Sequence, residues 1–285
     1  MLAALAALAV AAPALSAPPG ATRAMAPSFE ENNALQTAID GDWRPARDKA
    51  RDQFRHPLES LTFWGLQPGM TIVDVNPGGG WWTQILAPYA AKTGGRYLYG
   101  SAPAGPAPDA KERAGNAAAR KQFGEKFADA RFGQIGDVDL TSPEDVAAHK
   151  DSADFVLVAR FFHDWAPTEG ETDRYMAAIA TILKPGGVLA VEQHRAPEGA
   201  DPKAGTGWVP ESYVIAAAER AGLKLEAKSE INANPKDTRD YPFGVWTLPP
   251  TRQSSKDGKP DPSFDRARYD QIGESDRMTL RFRKP

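Results

Sequence analysis

Between Met70 and Gly95 the chain passes from a short β-branched run, "MTIVDV", through "NPGGG" into "WWTQILAPYAAKTGG". A buried strand, a glycine turn and a helix in that order restrict the fold more than any other segment. They demand an α/β unit whose strand lies inside a sheet while its helix packs back over it. Gly78, Gly79 and Gly80 let the backbone take positive φ and approach a ligand with no Cβ between. At the carboxyl end of a strand, such a loop presents N–H groups at the rim where open α/β sheets bind ligands. Three glycines also suffice for a tight turn alone.

The alternation then repeats. "RYLYG", "ARFGQIGDVD", "ADFVLVARFFHDW" and "VLAVEQH" each hold a strand, the strongest being Phe155 to Ala159. "DAKERAGNAAARKQFGEKF" reads as a polar helix. "ETDRYMAAIATIL" places Tyr175, Ile179 and Ile182 on one helical face. "VPESYVIAAAERAG" opens on Pro210 and closes on Gly222, the usual asymmetry of a helix. "LKLEAKSEI" and "DRMTLRFRK" alternate as strands without a helix between them. The pattern predicts a mostly parallel sheet with an antiparallel C-terminal hairpin at one edge. Ser28 to Gly65 reads mainly as helix, interrupted at Pro57, and forms an N-terminal helical cap. One domain over residues 28–285 is expected.

Bulk properties narrow the function. The 285 residues are 41% hydrophobic, enough to bury a real core. A net charge of −3, with both signs mixed along the chain, offers no basic field for nucleic acid. Absence of cysteine excludes disulfides, thiolate zinc sites and a cysteine nucleophile, and four scattered histidines argue against a metal site. Residues 1–17, "MLAALAALAVAAPALSA", carry no charge, and Leu2 to Ala12 is an apolar run of signal-peptide length. Small residues near Ser16 and Ala17 suit cleavage, although the usual opening Lys or Arg is missing. The run is short for a membrane span. The expectation is a signal peptide over 1–17, a linker over 18–27, and a periplasmic or secreted protein with no stable span after cleavage.

Asp74 ends the first strand, and Gly78 and Gly80 follow. "GDVD" closes the third strand, "HDW" follows the fourth and "LKPGGVLAVEQH" enters the fifth. This order resembles the class I S-adenosylmethionine-dependent methyltransferases. More narrowly, "ESLTFWGLQPGMTIVDVNPGGGWWTQILAPY", "INANPKDT", "GVWTLPPT" and "IGESDRMTL" resemble an exported, predicted methyltransferase family of bacteria, from about Phe29 to the C-terminus. The resemblance implies a Rossmann-like α/β fold and S-adenosylmethionine as cofactor. Asp74 would then face the methionine ammonium, and Gly78, Gly79 and Gly80 would pass beside the cofactor. Asp137 would meet the adenine amino group. Arg160 and Phe161 would border the pocket. Two positions depart from the family pattern. Asn76-Pro77 replaces its first glycine, a mild change because Asn tolerates unusual φ. Tyr99-Gly100-Ser101 stands where a carboxylate normally ends the second strand and grips the ribose. Neither Tyr nor Ser accepts two charge-assisted hydrogen bonds.

Methyl transfer needs alignment and, for a hydroxyl or amine acceptor, a base. His163 in "FFHDW" is the first candidate, with Asp164 and Trp165 on the substrate side; a helix-capping role for the histidine weighs equally. His194 lies on the same ligand-facing edge, and Glu192, two residues earlier, reads as packing. Trp81 and Trp82 read as core, although one of them would suit a pocket wall. Asn232 and Asn234 either read an acceptor or form caps and Asx turns, the latter favoured. The Arg-rich stretch from Arg44 to Arg55 reads as a solvated face, with docking of an anionic acceptor as the weaker reading. The acceptor class is a small molecule or cell-envelope component. The alternatives are a non-catalytic extracytoplasmic binding protein with this fold and, less well supported by the glycine spacing, a nicotinamide oxidoreductase.

Overall fold

The computed structural model describes residues 29–103, 105 and 109–285. The expected signal peptide and linker lie outside the described residues. Four helices come first: α1 (Phe29–Ile39), α2 (Ala46–Lys49), α3 (Asp52–Arg55) and α4 (Pro57–Trp64). The expected long helix is thus broken not only at Pro57 but also around Gly41 and Pro45. His56 makes the last break by taking φ 41° between α3 and α4.

The α/β body follows. In chain order it comprises β1 (Thr71–Val75), α5 (Thr83–Thr93), β2 (Arg96–Ser101), α6 (Ala110–Lys126), β3 (Ile135–Asp139), α7 (Pro143–Ala148) and β4 (Ala153–Ala159). Next come α8 (Phe162–Trp165), α9 (Glu171–Ile182), β5 (Leu183–Ala196), β6 (Val209–Pro210), α10 (Glu211–Arg220), β7 (Lys224–Ser229), α11 (Ala267–Ile272) and β8 (Arg277–Arg283). The sheet order is β3-β2-β1-β4-β5-β8-β7, with β6 beside β5. Strands β1 to β5 pair in parallel, while β8 runs antiparallel to both β5 and β7. This is the Rossmann-like, mostly parallel arrangement that the sequence predicts. The late strands are an edge pair but not a tight hairpin, because residues 230–276 leave the sheet between them.

Burial follows position in the sheet. In the central strand β4, Phe155 to Val158 are fully buried, as expected for a parallel strand covered on both faces. One face packs Val73, Val156 and Val158 against Tyr175, Ile179 and Ile182 of α9. The other packs Ile72, Phe155 and Leu157 against Trp64, Ile85 and Leu86 of the N-terminal cap and α5. Helix α6, polar along its length, is started by a capping box between Asp109 and Glu112. The chain runs outward from β1 to β3 and then returns to β4 on the other side of β1. That reversal opens a crevice at the carboxyl ends of β1 and β4.

Candidate active site

A cavity of about 440 Å³ occupies that crevice. Its lining comes from the glycine loop, the ends of β1, β4 and β5, the N-terminal cap, and two stretches of the excursion around Val245 and Glu274.

The three glycines serve different ends. Gly80 (φ 84°) sits under Phe127, whose ring carbon is 2.3 Å from where a Cβ would stand; it is there for packing. Gly78 (φ 56°) and Gly79 line the cavity, and a Cβ on either would meet nothing within 4 Å. Lys126 steadies the loop by donating from Nζ to the Gly79 carbonyl at 2.7 Å. Asn76 (φ 47°) borders the cavity with its backbone, but its amide is spent elsewhere. Its Oδ1 accepts from the Ala102 N–H at 2.9 Å and its Nδ2 donates to the Ala102 carbonyl. The exits of β1 and β2 are therefore bolted together. Trp165 adds to the bolt, donating from Nε1 to the same carbonyl at 3.0 Å.

Asp74, 1% exposed, reaches the cavity wall from the end of β1. Tyr97 donates to its Oδ2 at 2.9 Å, and Thr83 supports the tyrosine hydroxyl at 2.8 Å. Its Oδ1 is buried without a partner. Burial pushes the carboxyl up to about 7, against the opposing pull of the Tyr97 hydrogen bond and the Arg160 charge.

Another part of the wall is cationic. Arg51 and Arg55 bind the two oxygens of Glu274 through their Nε atoms, at 2.6 and 3.1 Å. Arg277 holds Glu192 at 2.6 Å and Glu274 at 3.0 Å from the core side. Burial alone would raise Glu274, but Arg55, Arg277 and Arg51 outweigh it and hold the carboxyl well below its usual range. Arg160 leaves β4 at φ 60°, donates its N–H to the Glu192 carbonyl at 2.6 Å, and keeps a buried Nε without a partner. Trp81 stacks under Arg44 and Arg55, 5.1 and 4.6 Å from its ring centre. The Arg44–Arg55 stretch is therefore not a solvated face. Arg44 and Arg55 are buried, and Arg47, Arg51 and Arg55 line the cavity. The helix breaks turn Arg44, Arg51 and Arg55 inward while Arg47 stays exposed, and no periodicity could show that.

His163 and His194 stand side by side on the rim, with ring centres 5.4 Å apart. The Gln193 amide accepts from the Phe162 N–H through Oε1, so its Nε2 points at His163 Nδ1, 3.2 Å away. That contact makes Nδ1 the acceptor and places the ring proton on Nε2, 3.5 Å from Asp164 Oδ2. His194 Nδ1 meets the Ser275 hydroxyl. Burial holds both histidines below the ordinary value. Arg160 adds to this for each, and His163 adds for His194.

Of the residues singled out from sequence, Asp74, Asn76, Gly78, Gly79, Arg160, Phe161, His163, Asp164 and His194 gather at this one cavity. Others do not. Asp137 faces away along β3, about half exposed, and pairs with Arg120 at 2.8 Å. Tyr99 stacks on Phe123 at 4.9 Å. Trp165 is fully buried behind the rim among Phe161, Phe162 and Tyr175. Asn232 ties Ser60 and Thr279 together and meets His56, while Asn234 holds the carbonyls of Ile272 and Glu274. These two are braces for the Glu274 segment rather than parts of the lining. Sequence reasoning missed Trp246, Glu274 and Ser275, and held Arg51 and Arg55 only in the weaker reading, as part of a docking site for an anionic acceptor. The available signal was the wording of "GVWTLPPT" and of "IGES", polar and aromatic stretches that fit neither strand nor helix. Among the described residues no group of His, Asp or Glu could hold a metal ion, and no helix is long and apolar enough to cross a membrane.

No family model and no curated protein matches the chain. Solved structures do. The [4+2]-cyclase SpnF is 15% identical with a TM-score of 0.48, covering 89% of this chain and 92% of its own. An S-adenosylmethionine-dependent methyltransferase from Aquifex aeolicus is 17% identical with a TM-score of 0.44, covering 71% and 93%. The 1,6-didemethyltoxoflavin-N1-methyltransferase of Burkholderia thailandensis, solved with S-adenosylhomocysteine, is 13% identical with a TM-score of 0.44, covering 95% and 93%. At these identities and scores the likeness does not fix the reaction of this chain.

Proposed function

We propose that this chain is an S-adenosylmethionine-dependent methyltransferase acting on a small-molecule or cell-envelope acceptor. One observation carries the reading. The buried, unpartnered Oδ1 of Asp74 stands at the end of β1, beside bare main chain at Gly78 and Gly79, and all three line one cavity. A buried carboxylate oxygen without a partner asks for a cation. The methionine end of the cofactor fits that demand, its ammonium on Asp74 and its chain along the glycine loop. The ribose end departs from the family pattern, since no carboxylate closes β2 and Asn76 bolts its exit to β1. The acidic groups on the cavity lining that remain for it are Asp48 and Asp164. The finer resemblance to the exported bacterial family belongs to this proposal and rests on the segments quoted above.

When bound, the cofactor supplies a methyl group activated on a sulfonium. The protein's work is then alignment. Asp74 neutralises the amino group, and the loop fixes the chain that carries the sulfur. His194, kept neutral by burial and by neighbouring positive charge, has the unprotonated form needed to take a proton from an acceptor hydroxyl or amine. His163, oriented by Gln193, holds Asp164 at the mouth.

Calorimetry with S-adenosylhomocysteine tests the reading. Binding to the wild-type protein that is abolished in Asp74→Ala supports it. A folded protein silent toward both S-adenosylhomocysteine and S-adenosylmethionine overturns it. That outcome favours the second reading, a ligand-binding protein that keeps the fold, for which the missing ribose carboxylate already speaks.

A further inference from the structure

Four guanidiniums, of Arg51, Arg55, Arg160 and Arg277, share two carboxylates, Glu192 and Glu274. Arg277, on the core side, takes both of them. The surplus charge is left on the side that faces the cavity. Arg55 is fully buried, yet both its terminal nitrogens lack a partner. Arg51 Nη2 and Arg160 Nε are buried and unpartnered as well, and all three arginines line the cavity. A structural ion-pair network gains by closing on itself, because each unmade bond to a buried charge is costly. Arg277 Nε and Glu192 Oε2 are unpartnered on the core side as well, but four free nitrogens belong to the three arginines that line the cavity. A planar fork of free N–H groups matches a carboxylate or a phosphate.

We propose that Arg51, Arg55 and Arg160 form an anion subsite for the methyl acceptor, which therefore carries a carboxylate or phosphate group. The word acceptor rests on the methyl-transfer reading; the subsite itself does not. The same chemistry has two sources, the acceptor and the cofactor's own carboxylate, and the sheet separates them. Asp74 ends β1, Arg160 leaves the neighbouring β4, and Glu274, gripped by Arg51 and Arg55, precedes β8, the third strand along. At a spacing of about 4.8 Å per strand, Glu274 lies on the order of 14 Å from Asp74. Covalent geometry keeps an α-carboxylate within about 4 Å of its own ammonium. An amino acid anchored on Asp74 falls short of Glu274, and Arg160 is the arginine whose charge acts on Asp74.

The test uses the whole protein at low salt, with succinate and inorganic phosphate as probes and S-adenosylhomocysteine in a separate arm. Affinity is read by calorimetry and folding by thermal denaturation. Expected is binding of at least one probe, weakened at least tenfold in both Arg55→Met and Arg51→Gln, with S-adenosylhomocysteine affinity within threefold of wild type. Arg51 is partly exposed, so its variant keeps the test sound should Arg55→Met fail to fold. Failure of both probes to bind the wild-type protein overturns the subsite. Loss of S-adenosylhomocysteine binding equal to the loss of probe binding assigns the arginines to the cofactor and overturns the acceptor assignment. Probe binding that depends on both arginines, in a protein that ignores S-adenosylhomocysteine, sustains the anion site while removing methyl transfer.

Discussion

Asp74 makes the sharpest prediction, because its proton should leave when the ligand arrives. Its carboxyl is held at about 7 by burial, so the free protein carries the proton at pH 6. With that value, about 0.9 of the sites are protonated at pH 6 and about a quarter at pH 7.5. An ammonium docked on Oδ1 requires the anion. Binding S-adenosylhomocysteine should therefore release about 0.9 proton at pH 6 and about a quarter at pH 7.5. Burial lowers both neighbouring histidines from their ordinary value, which works against either of them as the source, and Asp74→Asn is the control that separates them from Asp74. The assay is calorimetry at each pH in buffers of different ionisation enthalpy, where the slope of observed heat counts protons. The same group bears on stability. Between 3.8 and about 7 the unfolded chain has lost this proton while the folded protein keeps it, so stability falls as pH rises. At about 1.4 kcal/mol per pH unit the loss is about 4 kcal/mol, and Asp74→Asn should recover it at pH 8. A heat independent of buffer at pH 6, or the same proton release from Asp74→Asn, would refute the reasoning.

Four further substitutions separate packing from binding. Gly80→Ala places a methyl against Phe127 at positive φ and should lower stability by about 2 kcal/mol or more in urea denaturation. Gly79→Ala meets open space; its stability should change by less than about 0.5 kcal/mol, and its effect should fall on ligand affinity by calorimetry. Asn232→Ala leaves its partners Ser60 and Thr279 unmatched and should cost about 1–3 kcal/mol in the same denaturation, with ligand affinity unchanged. Glu274→Gln strips the counter-charge from Arg51, Arg55 and Arg277 and should cost about 3–5 kcal/mol, read as a lowered melting temperature.

The central sheet was legible because its strands are short β-branched runs whose burial on both faces leaves few alternatives, as in "TIVDV" and "DFVLVA". The glycine loop announced itself for the same reason, although sequence could not tell that Gly80 serves Phe127 while Gly78 and Gly79 serve the cavity. That distinction depends on a ring 47 positions later in the chain. Arg51 and Arg55 were misread because charge on a helical stretch ordinarily faces water. Their inward turn depends on breaks near Gly41 and Pro45 and on Glu274, which no local pattern connects to them. Asp137 was taken from the family resemblance, but in the folded chain it is about half exposed and pairs with Arg120. Asn232 and Asn234 read as ligand contacts or, the favoured reading, as turn formers. Only the positions of Ser60, Thr279 and the Glu274 carbonyl decide between the two.

Arg51 and Arg55 stand 223 and 219 residues from the Glu274 carboxylate they grip. Contacts so distant along the chain are made late, since the entropy of closing the intervening loop must first be offset by the sheet between them. Neither end of the polypeptide can complete this wall alone. A molecule seated against it acts as a fastener: it draws the first helices and the final strand together, and its departure is the moment at which the two ends are easiest to prise apart.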